Sequence, residues 1–352
     1  MSTLNVAILG AGGIARDQHI PAWLSVPQAR VVAAADPSAE ALSLVEQRHG
    51  IARLERDYQA LLDDKTIDVV DVCVPSALHA EVAVAALAAG KHVLCEKPMS
   101  TSRAGAEAIL RAYRGRDRKL MIAQNMRFEP SVTRLRGYLA RHGIGDVYYG
   151  RGQWLRRRRV PAKPGFTERR MSGGGPLYDL GVHLLDLAWW LMDCPLPERV
   201  TGAVYDHLAR RDDLGGEWGQ WNPQTIDVED FAAGMIRFRG GSMLSLEVSW
   251  LAPQKEDEFW RLQLFGKQGG VSWPDCTISG ETDRTPWDVS LPHVPNMPKS
   301  HHLVIQHFAD CVLHDRPVMI PPEQSATIIA ILESLYESSR ASREVEVRGW
   351  ET

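Results

Sequence analysis

The stretch Asn5-Val-Ala-Ile-Leu-Gly-Ala-Gly-Gly-Ile-Ala15 decides the fold. Val6 to Leu9 is a short apolar run of the kind that forms a buried parallel strand. It leads directly into Gly10-x-Gly12-x-x-Ala15, the spacing of a dinucleotide-binding turn. Gly10 lets the backbone turn sharply off the strand, and Gly12 lets a pyrophosphate approach the main chain. The small Ala15 lets the following helix pack close to the strand. The free amides and positive end of that helix then face the phosphates. A glycine-rich turn can also do no more than join a strand to a helix. Here a second apolar strand, Arg30 to Ala35, ends at Asp36, close to the roughly 20-residue offset at which an acid meets the adenosine ribose. A carboxylate there accepts from the ribose hydroxyls and repels a 2′-phosphate, so the expected cofactor is NAD rather than NADP.

The pattern continues along the first third of the chain. Ser38 to Gly50 and Tyr58 to Leu62 read as helices, and Asp68 to Val74 as a continuous β-branched strand covered on both faces. A helix at His79 to Ala89, a strand at Val93 to Cys95, a helix at Arg103 to Arg114 and a strand at Leu120 to Ala123 follow. Strands alternating with helices specify an α/β domain with a doubly wound parallel sheet, a Rossmann domain expected over residues 1–124. Ligands sit beyond the carboxyl ends of such strands. The residues at those ends are Gly10, Gly12, Gly13, Ile14, Ala15, Asp36, Pro75, Ser76, Glu96, Lys97 and Asn125.

The length of 352 residues suggests two domains. The net charge of −4 is too small to suggest nucleic acid or a membrane surface as partner. No apolar run approaches the ~20 residues of a bilayer span. The N-terminus shows no basic region before an apolar one, so no signal peptide is read there. The five cysteines are odd in number and form no C-x-x-C pair. Cys73 and Cys95 lie inside apolar strands, where cysteine is usually a small core residue. This argues for a reducing, cytoplasmic setting and against a disulfide framework or a cysteine zinc site.

Composition shifts after Phe128, and residues 125–352 read as an α+β domain on a large open, mainly antiparallel sheet. A helix, Pro130 to Arg141, precedes a strand, Asp146 to Trp154, and a run of four arginines, Arg156 to Arg159. Gly173-Gly-Gly-Pro-Leu-Tyr-Asp-Leu-Gly-Val-His183 opens a long apolar helix ending near Met192. Its polar exceptions are Asp179, His183 and Asp186. Asp179 and His183 are four apart and share a helix face. A carboxylate beside a histidine in apolar surroundings can orient it and raise its basicity. On spacing alone, Asp179 could equally complement the helix N-terminus and His183 could be a hydrogen-bonded core residue. Strands are expected at Arg199 to Tyr205, Asp230 to Phe238, Ser242 to Leu251, Phe259 to Phe265 and Gly270 to Trp273, with a hairpin at Gly240-Gly241. Two closing helices, spanning 302–339, can pack back near the first domain, and Glu344 to Val347 is a terminal strand.

The runs Val74-Pro-Ser-Ala-Leu-His-Ala-Glu and Ala88-Ala-Gly-Lys-His-Val-Leu-Cys-Glu-Lys-Pro closely resemble the glucose–fructose oxidoreductase / inositol dehydrogenase (Gfo/Idh/MocA) family. Asn125-Met-Arg-Phe and Asp179-x-Gly181-x-His183 fit the same family, and the likeness runs from about Asn5 to Val347. The resemblance implies an NAD-dependent oxidoreductase that moves hydride between a secondary alcohol of a sugar, cyclitol or polyol and the nicotinamide. It implies a catalytic set of Lys97, Asp179 and His183, with Asn125 and Arg127 bordering substrate and nicotinamide and His79 joining the cofactor-binding residues. Pro98 would stiffen the turn holding Lys97 through a cis peptide bond. It further implies a homodimer or homotetramer through the free sheet face. Two alternatives are an NAD-retaining glycosidase working by transient sugar oxidation and a non-catalytic sensor of nucleotide or sugar. An intact Lys97, Asp179 and His183 speaks against the sensor.

Other residues invite weaker readings. His301, His302 and His307 lack a ligand spacing and an acid partner, so they read as helix surface or core, and no metal is expected. The arginine run reads first as a solvated or inter-subunit face, with Arg158 the candidate contact to an anionic substrate. Sugars present apolar C–H faces to aromatic rings, so Trp154 is a candidate wall of a sugar pocket, although packing is the commoner duty of a tryptophan.

Overall fold

The computed structural model describes residues 3–163, 165–292 and 297–349. In chain order its strands are β1 (Leu4–Leu9), β2 (Ala29–Ala35), β3 (Leu54–Glu55), β4 (Val69–Val72), β5 (His92–Cys95), β6 (Leu120–Ile122), β7 (Val147–Arg156), β8 (Pro197–Tyr205), β9 (Phe231–Phe238), β10 (Met243–Ser249), β11 (Glu258–Gly266), β12 (Gly269–Trp273), β13 (Thr277–Thr282), β14 (Thr285–Ser290) and β15 (Val345–Glu346). The helices are α1 (Ile20–Leu24), α2 (Ala39–His49), α3 (Gln59–Asp63), α4 (His79–Ala88), α5 (Arg103–Tyr113), α6 (Pro130–His142), α7 (Arg169–Ser172), α8 (Val182–Leu191), α9 (Ser300–Leu313) and α10 (Pro322–Ala341). The chain divides into two compact units, Met1–Phe128 with Pro298–Ala326, and Glu129–Met297 with Thr327–Thr352.

The first unit is built on a six-stranded sheet in the order β3-β2-β1-β4-β5-β6, every pair parallel. β2 lies on one side of β1 and β4 on the other, so the strand order reverses at β1. The crevice outside the ends of β1 and β4 is the topological switch point where such sheets bind ligands. The core packs Val6, Ile8, Val69 and Leu94 of the sheet against Trp23 of α1 and Val304, Ile305 and Phe308 of α9. Ser38 and Ser102 cap α2 and α5 by accepting the amides of Ala41 and Gly105, as their short polar side chains favour. The Lys97–Pro98 peptide bond is cis.

The helix after the glycine turn opens as a single π-turn, Ala15–His19, in which the Ile20 amide reaches back to the Ala15 carbonyl. Pro21 has no N–H to offer the regular ladder at this point. The two-residue strand β3 was not expected, being too short for a periodic signal. The β13–β14 hairpin was not expected either. Its turn is Asp283-Arg284, both at positive φ (49° and 61°), without the glycine that usually marks such turns.

The second unit carries a nine-stranded sheet in the order β14-β13-β12-β11-β7-β10-β9-β8-β15. Only β7 and β10 pair in parallel, so the sheet is mixed and mainly antiparallel. Gly240-Gly241 turns β9 into β10. α8 lies over β7 at Gly152, where an added Cβ would come within 3.0 Å of the Leu184 side chain. Alternation along β7 puts Trp154 and Arg156 on this same face and Tyr149, Arg151 and Gln153 on the other. No helix among the described residues is long and apolar enough to cross a membrane, and all five cysteines are free.

Candidate active site

The residues expected to act divide between the two units. In the first, Gly10 (φ +97°) stands so close to β4 that an added Cβ would meet Cys73 O at 2.5 Å and Val74 N at 2.7 Å. Gly12 has nothing within 4 Å of an added Cβ, so the main chain is open to an incoming group there. The Asp36 carboxylate is held toward the turn by two amides, Ala11 N–H and Ser38 N–H, both at 2.8 Å. Arg16 hydrogen-bonds the Ala11 carbonyl, and its Nε is buried without a partner in the protein. An open main-chain cradle, a fixed carboxylate at the end of β2 and an orphaned donor beside the turn fit the pyrophosphate and ribose of NAD.

Pro75 and Ser76 open a short 3₁₀ turn that runs into α4. His79 is buried, with Nδ1 2.7 Å from Pro98 O and Nε2 2.9 Å from Val74 O. It ties the end of β4 to the turn after β5, and burial pushes its pKa down. That turn carries Glu96, Lys97 and Pro98. The second carboxylate oxygen of Glu96 accepts the Lys97 amide at 3.0 Å. Asn125 Nδ2 donates to Ser300 Oγ at 2.9 Å. Arg127 is wholly buried, and its NH1 donates to Gln324 Oε1 at 2.6 Å.

In the second unit, Asp179 lies on a π-turn, Leu177–Gly181, that runs into α8, where His183 sits in the first turn. The four-residue offset between them therefore crosses a change of helix type. Their entry is held by Glu229, whose buried Oε1 accepts the amides of Gly175 (3.0 Å) and Leu177 (3.1 Å) and the Tyr336 hydroxyl (2.6 Å). Gly175 must lack a side chain here, because its Cβ would lie 2.0 Å from Glu229 O. Asp179 Oδ2 accepts the Trp250 indole N–H at 3.1 Å and lies 3.6 Å from Arg156 NH1. The His183 ring centre lies 6.2 Å from that of Trp154. The Arg156 guanidinium lies 5.5 Å from the Trp154 ring and 4.6 Å from the Trp218 ring. Asp179 and His183 thus gather around Trp154 and Arg156.

Glu258 ties this wall together. It accepts Trp154 Nε1 at 2.6 Å, Arg156 Nε at 2.9 Å and Arg159 NH1 at 2.6 Å. Burial raises the Glu258 pKa, but the Trp154 and Arg156 bonds and the charges of Arg156 and Arg159 outweigh it and lower it. Arg158 is exposed, and its carbonyl accepts the Glu217 amide at 2.9 Å. Arg156 is the arginine of the run that meets Asp179. Its place is a matter of strand register: it continues the face of Gly152 and Trp154, while the run itself carries no such signal.

The parallel sheet with its glycine turn at the switch point and its acid after β2 defines the first unit as a nucleotide-binding oxidoreductase domain. Residues 4–124 match the family model described as "Oxidoreductase family, NAD-binding Rossmann fold", and residues 132–272 match the GFO/IDH/MocA C-terminal domain. The chain is 30% identical over 347 residues to the D-glucoside 3-dehydrogenase of Escherichia coli (strain K12), covering 98% of each chain. It is 28% identical to the levoglucosan dehydrogenase of Pseudarthrobacter phenanthrenivorans, over 77% of this chain and 73% of that one. A solved structure of levoglucosan dehydrogenase with NADH superposes with a TM-score of 0.87 at 22% identity, over 99% of this chain and 100% of that one. The chain belongs to the Gfo/Idh/MocA family of NAD-binding oxidoreductases.

One constellation escaped the sequence reading. His19, Asp71, Cys73 and Glu96 form a buried polar cluster in the first unit, with the half-buried His301 beside it. Its donor atoms fall into two groups, His19-Glu96-His301 and His19-Asp71-Cys73, each within 4.8 Å. The available signal was Asp71, a carboxylate in the middle of the otherwise apolar β4.

Proposed function

We propose that this enzyme oxidises a secondary alcohol of a sugar, cyclitol or related polyol, with NAD as the hydride acceptor. The observation that carries the reading is the gathering of Asp179 and His183 around Trp154 and Arg156 on one sheet face. An aromatic wall suits the C–H face of a sugar, and a guanidinium and carboxylates suit its hydroxyls. Relatives named for oxidising glucosides and levoglucosan support the same substrate class.

NAD, when bound, supplies the hydride chemistry. Gly10 to Ala15, Asp36, Pro75, Ser76, His79, Glu96 and Asn125 are the residues that hold it. His183 takes the hydroxyl proton, and Asp179 orients the imidazole or passes the proton on. Lys97 hydrogen-bonds the reacting oxygen and stabilises the developing alkoxide. A lysine whose pKa is lowered to ~7–8 can itself serve as base, so Lys97 and His183 can exchange these duties. Asn125 and Arg127 border the substrate and the nicotinamide, and Trp154 and Arg158 complete the substrate contacts.

The enzyme works as a homodimer or homotetramer joined through the sheet face that carries Tyr149, Arg151 and Gln153. Met235, 41% exposed on β9, two strands from β7, supports burial of this sheet in an assembly. Free cysteines support a cytoplasmic setting. Sedimentation of the wild type against Met235→Lys tests the assembly.

The function is tested by following NADH formation with NAD, and in parallel with NADP, across free sugars, glycosides, sugar acids, inositols and anhydrosugars. The expected result is NAD-dependent oxidation of one class, reduced at least about a hundredfold in kcat/KM by Lys97→Met, the scale of acid–base contributions. Near-normal turnover of Lys97→Met, or no oxidation of any compound, would overturn it. Product without net NADH would shift the reading to an NAD-retaining glycosidase.

A further inference from the structure

One imidazole in the first unit lies between two buried carboxylates. His19 Nδ1 is 2.8 Å from Asp71 Oδ2, and His19 Nε2 is 2.8 Å from Glu96 Oε1. The three residues are 1%, 0% and 7% exposed. A neutral imidazole donates from one nitrogen only, and its other lone pair would then face a carboxylate oxygen. With both carboxylates ionised, both contacts are attractive only when the ring is an imidazolium. Burial pulls the His19 pKa down, but Asp71 and Cys73 outweigh it and set it well above the ordinary value. Burial likewise raises Glu96, yet the His19 bond and the charges of His19, His301 and Lys97 bring it down to about 2.

The cluster is anchored at one end and aimed at the other. Asp71 Oδ2 also accepts the Trp23 indole N–H at 2.7 Å, and the Cys73 thiol lies 3.7 Å from its other oxygen. Glu96 spends its second oxygen on the Lys97 amide at 3.0 Å. The carbonyl of the next residue, Pro98, is held by His79. The main chain at Lys97 is therefore pinned on both sides, and His19 is the link that fixes the Glu96 carboxylate.

Stability alone does not call for this arrangement. Each ion taken out of water costs several kcal/mol, and a well-packed apolar set of the same volume is often as stable or more so. What an apolar set cannot do is aim a carboxylate at one backbone amide. Nor are the His19 nitrogens idle in a way that would call for a metal, since both are already hydrogen-bonded. His19 also closes the π-turn that follows the glycine turn, so the element that receives the dinucleotide carries the anchor of the lysine.

We propose that His19 is a positioning residue: as an imidazolium clamped between Asp71 and Glu96, it fixes the main chain of Lys97 for the reaction. The inference rests on Lys97 being the catalytic lysine. It assigns His19 no contact with substrate and no share in proton transfer.

The test compares wild type, Lys97→Met, His19→Gln, Glu96→Gln and the double variant His19→Gln/Glu96→Gln, each with kcat, sugar KM and NAD Kd measured on the folded, NAD-binding fraction. Gln presents one nitrogen where the imidazolium presents two, and it carries no charge. The expected result for His19→Gln is a kcat lowered 10- to 100-fold, with KM and NAD Kd within about threefold of wild type. The range is that of orienting partners one shell behind a reacting group. The double variant should lose no more than Glu96→Gln alone, because the two side chains act along one path. Wild-type kcat in folded His19→Gln, or losses that multiply in the double variant, would overturn the proposal. If His19→Gln does not fold, Asp71→Asn decides: reduced kcat at normal NAD affinity supports the positioning role, and wild-type kcat refutes it. An active Lys97→Met would instead remove the underlying functional reading, whatever His19→Gln shows.

Discussion

The guanidinium of Arg156 stands 3.6 Å from the carboxylate of Asp179 and is held there by the bond from its Nε to Glu258 at 2.9 Å. Two tryptophans, Trp154 and Trp218, lie against it. This half-stacked, nearly buried arginine sets the charge beside Asp179. Arg156→Met keeps the stem and removes the charge, leaving Glu258 with one cation fewer. We expect kcat/KM for the sugar to fall by one to two decades, at about 1.4 kcal/mol per decade, with NAD affinity unchanged. Steady-state kinetics beside an NAD titration checks this. A loss of NAD affinity would place Arg156 elsewhere in the cycle.

The two central glycines of the first turn should fail in different ways. Gly10→Ala puts a Cβ 2.5 Å from a backbone carbonyl of β4 at a φ of +97°, so it should lower the melting temperature or abolish folding. Gly12→Ala meets nothing in the protein. It should melt as the wild type does and lose at least about tenfold in NAD affinity, because its methyl occupies the place of the pyrophosphate. Calorimetry and fluorescence titration of both variants separate the two outcomes.

The difference between these glycines marks how far the sequence could be read. The parallel sheet was legible because its strands are short, apolar and buried on both faces, as in Val69–Val72, and each ends at a turn residue. The second sheet was legible from its long alternating strands, apart from the β13–β14 hairpin, whose Asp283-Arg284 turn carries no usual marker. Lys97, Asp179 and His183 could be named from local motifs. Glu258, Trp218 and Glu229 could not, because they meet the site through cross-strand register and a long loop, relations that no local spacing encodes. His19 was hidden for a related reason. Its partners come from two strands, Asp71 from within β4 and Glu96 from just after β5, and only the parallel pairing of β1, β4 and β5 brings them to one place.

Glu229 is expected to act as the keystone of the segment that carries Asp179. Glu229→Ala removes the acceptor of two main-chain amides and of the Tyr336 hydroxyl, all of them buried. Leaving such donors unpaired costs roughly 2–4 kcal/mol. Denaturant unfolding should show that loss, and kcat should fall with it because the π-turn bearing Asp179 loses its anchor. Unchanged stability would mean that water accepts from the same three donors once the carboxylate is gone.

The His19 clamp also predicts how stability varies with pH. Glu96 is held at about 2 against an ordinary 4.5, so its contribution is present above pH 4.5 and is lost as the pH falls from there toward 2. His19 is raised well above 6.5, so its contribution is complete below pH 6.5 and is lost as the pH climbs toward the folded-state value. Between about pH 4.5 and 6.5 both act in full. Subtracting the unfolding free energy of His19→Gln from that of wild type across the pH range should therefore give a plateau in this window, falling on both sides. The slope on either side should not exceed about 1.4 kcal/mol per pH unit, the limit for one linked proton. A difference curve that is flat across pH 6.5 would mean that the folded cluster holds no more protons there than the unfolded chain does, and would remove the charged clamp.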